Sequence, residues 1–205
     1  MKLKSAMLAA VAGAMMMAVL GGCASFAPQE AQRHYVLEAS SGRERAPVTP
    51  RNATLLVAPV TVSGFYETSE IVYSRAPGTR AYYQLNSWTE RPGPRLSDLL
   101  LMRLVRAGSF ATVATVVSGV KGDVILSAQL TEFYHDAAAA PGSARVAVTV
   151  ELTDPLRRVL LARRTFMQSA PAPTYDAPGA VQAFNVAVTA LLDDIAAWVE
   201  TSVPR

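Results

Sequence analysis

Few side chains in this 205-residue chain could do chemistry, and the one with the clearest task is Cys23, its sole thiol. A thiolate can be alkylated, oxidised or metallated. One cysteine cannot close an internal disulfide, and with only His34 and His135 beside it a structural zinc site is not expected. Ser118-Gly-Val-Lys121 has the S-x-x-K spacing of a serine nucleophile with a lysine base. Its context fails, because Ser97-Asp98 runs into Leu99 instead of Asn, no Lys-Thr-Gly exists, and the segment falls between two strand patterns. There is no G-x-S-x-G elbow and no Walker-type phosphate loop. Asp193 and Asp194 are adjacent on a helical pattern, so they point about 100° apart and read as a solvated polar face. The two histidines read as structural. The expectation is a non-enzymatic chain with no cofactor and no metal.

The surroundings of Cys23 give its thiol a purpose. Lys2 and Lys4 precede a charge-free run from Ala6 to Leu20. That run is short of the roughly 20 residues a spanning helix needs, and suits the apolar region of a secretory signal. Leu20-Gly21-Gly22-Cys23 resembles the lipobox of bacterial lipoproteins. The resemblance implies cleavage before Cys23, a thioether-linked diacylglyceryl group and an acylated amino group. Each buried methylene contributes about 0.8 kcal/mol, so three chains hold a protein on a membrane where one does not. Ala24, where an aspartate would resemble an inner-membrane retention signal, implies the periplasmic face of the outer membrane. The expected organisation is a signal peptide over 1–22, an acylated start and tether over 23–33, and one domain over 34–205.

Removing Lys2 and Lys4 leaves 17 Lys and Arg against 16 Asp and Glu, a mature net charge of +1 (19 − 2 − 16). Sixteen of the basic residues are scattered arginines, not the clustered patch that nucleic-acid binding requires. With 51% apolar and 17% charged residues the chain is neither disordered nor a rod.

Strand signals dominate the mature chain. His34–Leu37 is a short candidate, and Ser40–Asn52 reads as a loop. Thr54–Val62 is β-branched but interrupted by Pro59. Ile71–Arg75 and Arg80–Leu85 flank Ala76-Pro77-Gly78-Thr79, a hairpin turn. Further strands are expected over 110–117, 123–134, 144–152 and 159–168, from their two-residue alternation. A helix runs from near Pro94 to Gly108 with Leu96, Leu99, Leu100 and Leu104 on one face. A second carries Val181, Phe184, Val188, Leu191, Ile195 and Trp198 and reads as a helix laid across a sheet rather than a short heptad seam. Together these predict a single α+β domain with an antiparallel-rich sheet and two main helices packed on one face.

Residues 65–88 hold six of the fifteen aromatics: Phe65, Tyr66, Tyr73, Tyr82, Tyr83 and Trp88. Tyr82 and Tyr83 must point to opposite faces of a strand, so the group either meets a partner or fills a small core beneath the hairpin. With these residues the chain resembles the ABC-type transport auxiliary lipoprotein components, which include the PqiC-like lipoproteins. The matching segments are Tyr35-Val36-Leu37, Leu56-Val57-Ala58-Pro59-Val60, Ile71-Val72-Tyr73-Ser74-Arg75, Trp88-Thr89-Glu90 ahead of Leu99-Leu100, and the helix reaching Trp198. Thr89 and Arg91 depart from the family's usual Trp-Ala-Glu-Pro. The resemblance implies a non-catalytic outer-membrane lipoprotein working with a mammalian-cell-entry (Mce) domain protein and an ABC permease and ATPase in intermembrane lipid transport. Tyr66, Tyr73, Arg75, Tyr82 and Trp88 are the expected docking surface. Ring-like self-assembly would fit a conduit end. The alternative is a structural lipoprotein serving a cell-wall synthase or lipopolysaccharide exporter.

Overall fold

The computed structural model describes residues 31–43 and 49–203. Cys23, the lipobox and most of the expected tether lie outside them. The domain is the unit Gln32–Arg205.

Its spine is a strand of thirteen residues, most easily placed after its neighbours. In chain order these are β1 (Arg33–Tyr35), β2 (Arg51–Val57), β3 (Thr61–Val62), β4 (Glu70–Ser74), β5 (Ala81–Trp88), helix α1 (Pro92–Ala107) and β6 (Phe110–Thr115). The spine, β7 (Val124–Asp136), follows, then β8 (Ser143–Asp154), β9 (Val159–Pro171) and helix α2 (Ala177–Ser202). Along one edge of β7 lie β2, β3 and β4 in succession, all parallel to it. Along the other edge β8 pairs antiparallel over nearly its whole length, and β9 pairs antiparallel with β8. Beyond β2 lies β6, and beyond β4 lie β5 and then β1.

Alternation in β7 buries Val124, Leu126, Ala128 and Leu130, then resumes at Phe133 and His135. The odd interval is a bulge: Leu130 faces Val148 and Glu132 faces Ala147, so Thr131 is the extra residue. Its hydroxyl donates to the Ala147 carbonyl at 3.2 Å. On α1, Pro92 occupies the first turn, where a missing N–H costs nothing, and Gly108 ends the helix in the left-handed conformation at φ 65°. Asp176 caps α2 by accepting from the Gly179 N–H at 2.8 Å. At the far end Arg51 of β2 donates to the Glu200 and Val203 carbonyls, satisfying acceptors the last turn leaves open. By length and composition α2 could cross a bilayer, but it packs on β8 and β9 with most of its side chains buried.

The single α+β domain with two packed helices is as expected, and so is the β4–β5 hairpin. The sheet is mixed. Among the described residues five of the eight strand pairings are parallel, although the two longest, β7–β8 and β8–β9, are antiparallel. Periodicity states which face of a strand is buried and not which neighbour it takes. Here β5, α1 and β6 intervene between β4 and β7, room enough to return the chain in the same direction.

Candidate functional site

Three places in the described residues could carry function: the aromatic hairpin, a buried histidine beside it, and a clamp between the helices.

The hairpin divides the five expected docking residues. Trp88 is only 2% exposed, packed against Phe133 and Phe184 with ring centroids 5.8 and 5.5 Å away. Its indole N–H finds no acceptor among the described residues. Tyr66 is also buried, and its hydroxyl accepts from the Arg80 Nε–H at 3.0 Å. Neither can meet a partner, because Trp88 faces the helices and Tyr66 sits beneath Arg80. The other three reach the surface. Tyr82 stacks on Phe65 at 5.0 Å, and the Arg75 guanidinium lies 5.1 Å over the ring of half-buried Tyr73. Trp88 and Tyr66 are thus core residues, while Tyr73, Arg75 and Tyr82 keep access to solvent. Phe65 is the surface residue that the expected docking set left out; its adjacency to Tyr66 was the available signal.

Tyr83 turns the other way, as strand alternation demands, and reaches His135. Its hydroxyl lies 2.7 Å from His135 Nδ1, while Nε2 lies 3.1 Å from the Pro141 carbonyl. A carbonyl only accepts, so Nε2 carries the proton and Nδ1 receives the Tyr83 O–H. Burial lowers the His135 pKa below its usual value and, with Tyr175 close by, pushes Tyr83 up to about 12. This neutral, doubly bonded imidazole is built to stay as it is.

The clamp was not expected. After β1 the chain runs between α1 and α2 as a strap, residues 37–43. On α2, Asn185, Thr189 and Asp193 sit four apart and accept from the backbone N–H groups of Glu38, Ser40 and Arg43, each at 3.0 Å. From α1, Arg95 donates to the Leu37 carbonyl at 2.8 Å, Arg103 to Ser40 at 2.6 Å and Arg106 to Ser41 at 3.1 Å. Asp193 is 5% exposed and paired with buried Arg103, which corrects its reading as solvated face. Asp194 accepts from Gln168 Nε2. Gly42, at φ 80°, is obligatory, since a Cβ there would strike the Arg103 and Asp193 side chains. A cavity of about 770 Å³ lies beside the strap, lined by Arg43, Arg95, Leu99, Met102 and Val186.

Nothing in these three places assembles a nucleophile with a base. Ser118 Oγ donates to the Thr115 carbonyl at 2.6 Å in an exposed turn. Among the described residues no three His, Cys, Asp or Glu side chains group as metal ligands.

A family model described as ABC-type transport auxiliary lipoprotein component matches residues 35–196. The chain belongs to that family. It is accordingly a non-enzymatic auxiliary component of ABC-type transport, lipid-anchored at the periplasmic side of the outer membrane. Among solved structures, a Xanthomonas campestris protein matches this auxiliary lipoprotein with TM-score 0.75 and 21% identity, over 83% of this chain and 96% of its own. An uncharacterized protein matches with TM-score 0.65 and 15% identity, over 83% and 99%. A PelC dodecamer from Paraburkholderia phytofirmans matches at TM-score 0.47 and 14% identity, over 79% and 95%. At these identities the first two show a shared fold. No curated protein matches the chain.

Proposed function

We propose that this auxiliary lipoprotein is acylated on Cys23 and serves an ABC permease, its ATPase and an Mce-domain protein that move lipid between the two membranes. It would hold the outer-membrane end of their periplasmic conduit. The observation that carries this reading is family membership over 35–196 in a chain whose sole thiol closes a lipobox-like segment. The physical need is plain. Lipid exposed to aqueous periplasm is penalised by about 0.8 kcal/mol per methylene, so a shielded path must be fixed at its destination.

Two measurements test it. In the first, labelled palmitate enters the wild-type chain and not Cys23→Ala, which moves to the soluble periplasmic fraction. In the second, the acylated protein co-purifies an Mce-domain partner. A Cys23→Ala chain that stays membrane-bound would refute the anchor. Recovery of a peptidoglycan synthase or an outer-membrane barrel protein, in place of the Mce-domain protein, would favour the alternative machine.

A further inference from the structure

From the direction in which the chain enters the domain, we infer that one particular end of the sheet, carrying Phe65, Tyr82 and Tyr175, rests on the bilayer that holds the acyl chains. This depends on the acylation of Cys23 proposed above.

Direction comes first. Tyr73 and Ser74, at the end of β4, pair with His135 and Asp136 at the end of β7, and Asp136 pairs with Ser143 at the start of β8. Ser143 in turn pairs with Pro171, at the end of β9. The turns 75–80 and 137–142 and the loop 172–176 therefore share one end of the sheet. The β8–β9 turn, 155–158, lies at the other. Because β5 is antiparallel to β4 and β1 is parallel to β5, β1 begins on the side of the first end and runs away from it.

Length comes second. Arg33 lies opposite Asn86, which is close to the level of Glu70 and hence two to four residues, roughly 10 Å, from that end. The far turn is about ten residues away along the sheet, or roughly 33 Å. Ten peptide steps join Cys23 to Arg33 and span at most about 36 Å. Setting the far end on the bilayer would consume nearly the whole of that reach, whereas the near end uses about a third.

The near end also has the chemistry of an interface. Phe65, Tyr82 and Tyr175 are 43%, 42% and 44% exposed, and turns Ala76-Pro77-Gly78 and Ala138-Ala139-Ala140-Pro141 present small, uncharged surface. Tyrosine, with an apolar body and a polar tip, favours headgroup depth. Phe65 adds apolar area, and the Tyr175 hydroxyl donates to the Ala137 carbonyl, leaving its ring to face outward. Arg75 supplies a cation for anionic headgroups. The carboxylates here are engaged, Asp136 with Arg145 at 3.6 Å and Asp176 at the α2 cap. The far turn, with Leu156, Arg157, Arg158, Val159 and Leu160, is similarly amphipathic. Composition alone does not choose between the ends; the point of entry does.

The test uses the full-length acylated protein in vesicles of phosphatidylethanolamine and phosphatidylglycerol, with acyl chains either brominated or not. Ala139→Cys and Leu156→Cys each add one thiol for a fluorophore, since acylation consumes that of Cys23. The label at 139 should lose most of its emission in brominated vesicles while the label at 156 keeps its own. Replacing phosphatidylglycerol with phosphatidylcholine should weaken the loss at 139. Quenching at 156 instead, or at neither position, overturns the inference. So does a label at 139 that ignores lipid and responds only to added Mce-domain protein, which would make this end a protein interface. Labelling of the wild-type chain would show Cys23 to be free, a separate signal that removes the anchor as well.

Discussion

Along α2, Phe184, Val188, Leu191 and Ile195 bury carbon against the sheet, while Asn185, Thr189 and Asp193 hold the backbone of the strap. The two stripes share a helix and differ in what they demand. On the apolar side Phe184 stacks on Phe133 at 4.3 Å and meets Trp88 edge-on, contacts that depend on volume and shape. On the polar side each acceptor must stand at one height to meet one N–H. Carbon packing tolerates changes that conserve volume. A buried ion pair tolerates loss of neither member.

Removing one member from each side should cost about the same and leave different traces. Phe184→Ala should lose about 3–5 kcal/mol in urea unfolding, from lost burial and the cavity left behind. Asp193→Ala should lose about 3–5 kcal/mol too, because Arg103 would be left charged and buried without that carboxylate. Only the second should speed hydrogen exchange at the Arg43 amide ahead of global unfolding. If Phe184→Ala frees that amide equally, the stripes are not independent. Joining Arg103→Met to Asp193→Leu should recover most of the stability, since apolar side chains often replace a buried pair without loss. The Arg43 amide should stay unprotected.

A polar group on the apolar side sharpens the contrast. Burial depresses the His135 pKa, against the opposing pull of the Pro141 carbonyl, Asp136 and Asp176. The unfolded chain then binds more protons than the folded one below the usual value of 6.5. Stability is therefore full above pH 6.5 and falls as pH drops through the window beneath it. His135→Gln should flatten that dependence in urea titrations at several pH values; an unchanged slope would show another group to be responsible. Asp176, whose pKa is lowered by the Thr174 hydroxyl and the Gly179 N–H, acts in the same sense only below 3.8. The smallest effect belongs to Thr189→Val, which removes the acceptor for the Ser40 N–H and should cost about 1 kcal/mol. Its signature is faster exchange at Ser40 with little change at Glu38.

Alternation and punctuation made much of the fold readable. The evenly spaced apolar residues of β8, Gly108 at the end of α1 and the Pro-Gly turn between β4 and β5 each constrain the chain locally. Parallel pairing was not readable, because β2, β3 and β4 meet β7 only after α1 and β6 have intervened. Nor was the fate of Trp88 and Tyr66, whose types suit a core and an interface equally. Asp193 misled for a related reason: a carboxylate beside another on a helix usually faces water, and its partner Arg103 lies 90 residues earlier. Asn185, Thr189 and Asp193 do show a four-residue spacing, but without the strap there was nothing for that spacing to hold.

The strap also decides how a mechanical load would travel. Tension on the polypeptide at Gln32 first meets the β1–β5 ladder, whose hydrogen bonds cross the pulling axis and so are strained in shear together instead of unzipping singly. Behind that ladder, the bonds from α1 and α2 to the strap form a second grip set side-on to the peptide. A globule towed by its amino terminus would thus be held at its two best-braced points before any force reached the hydrophobic interior.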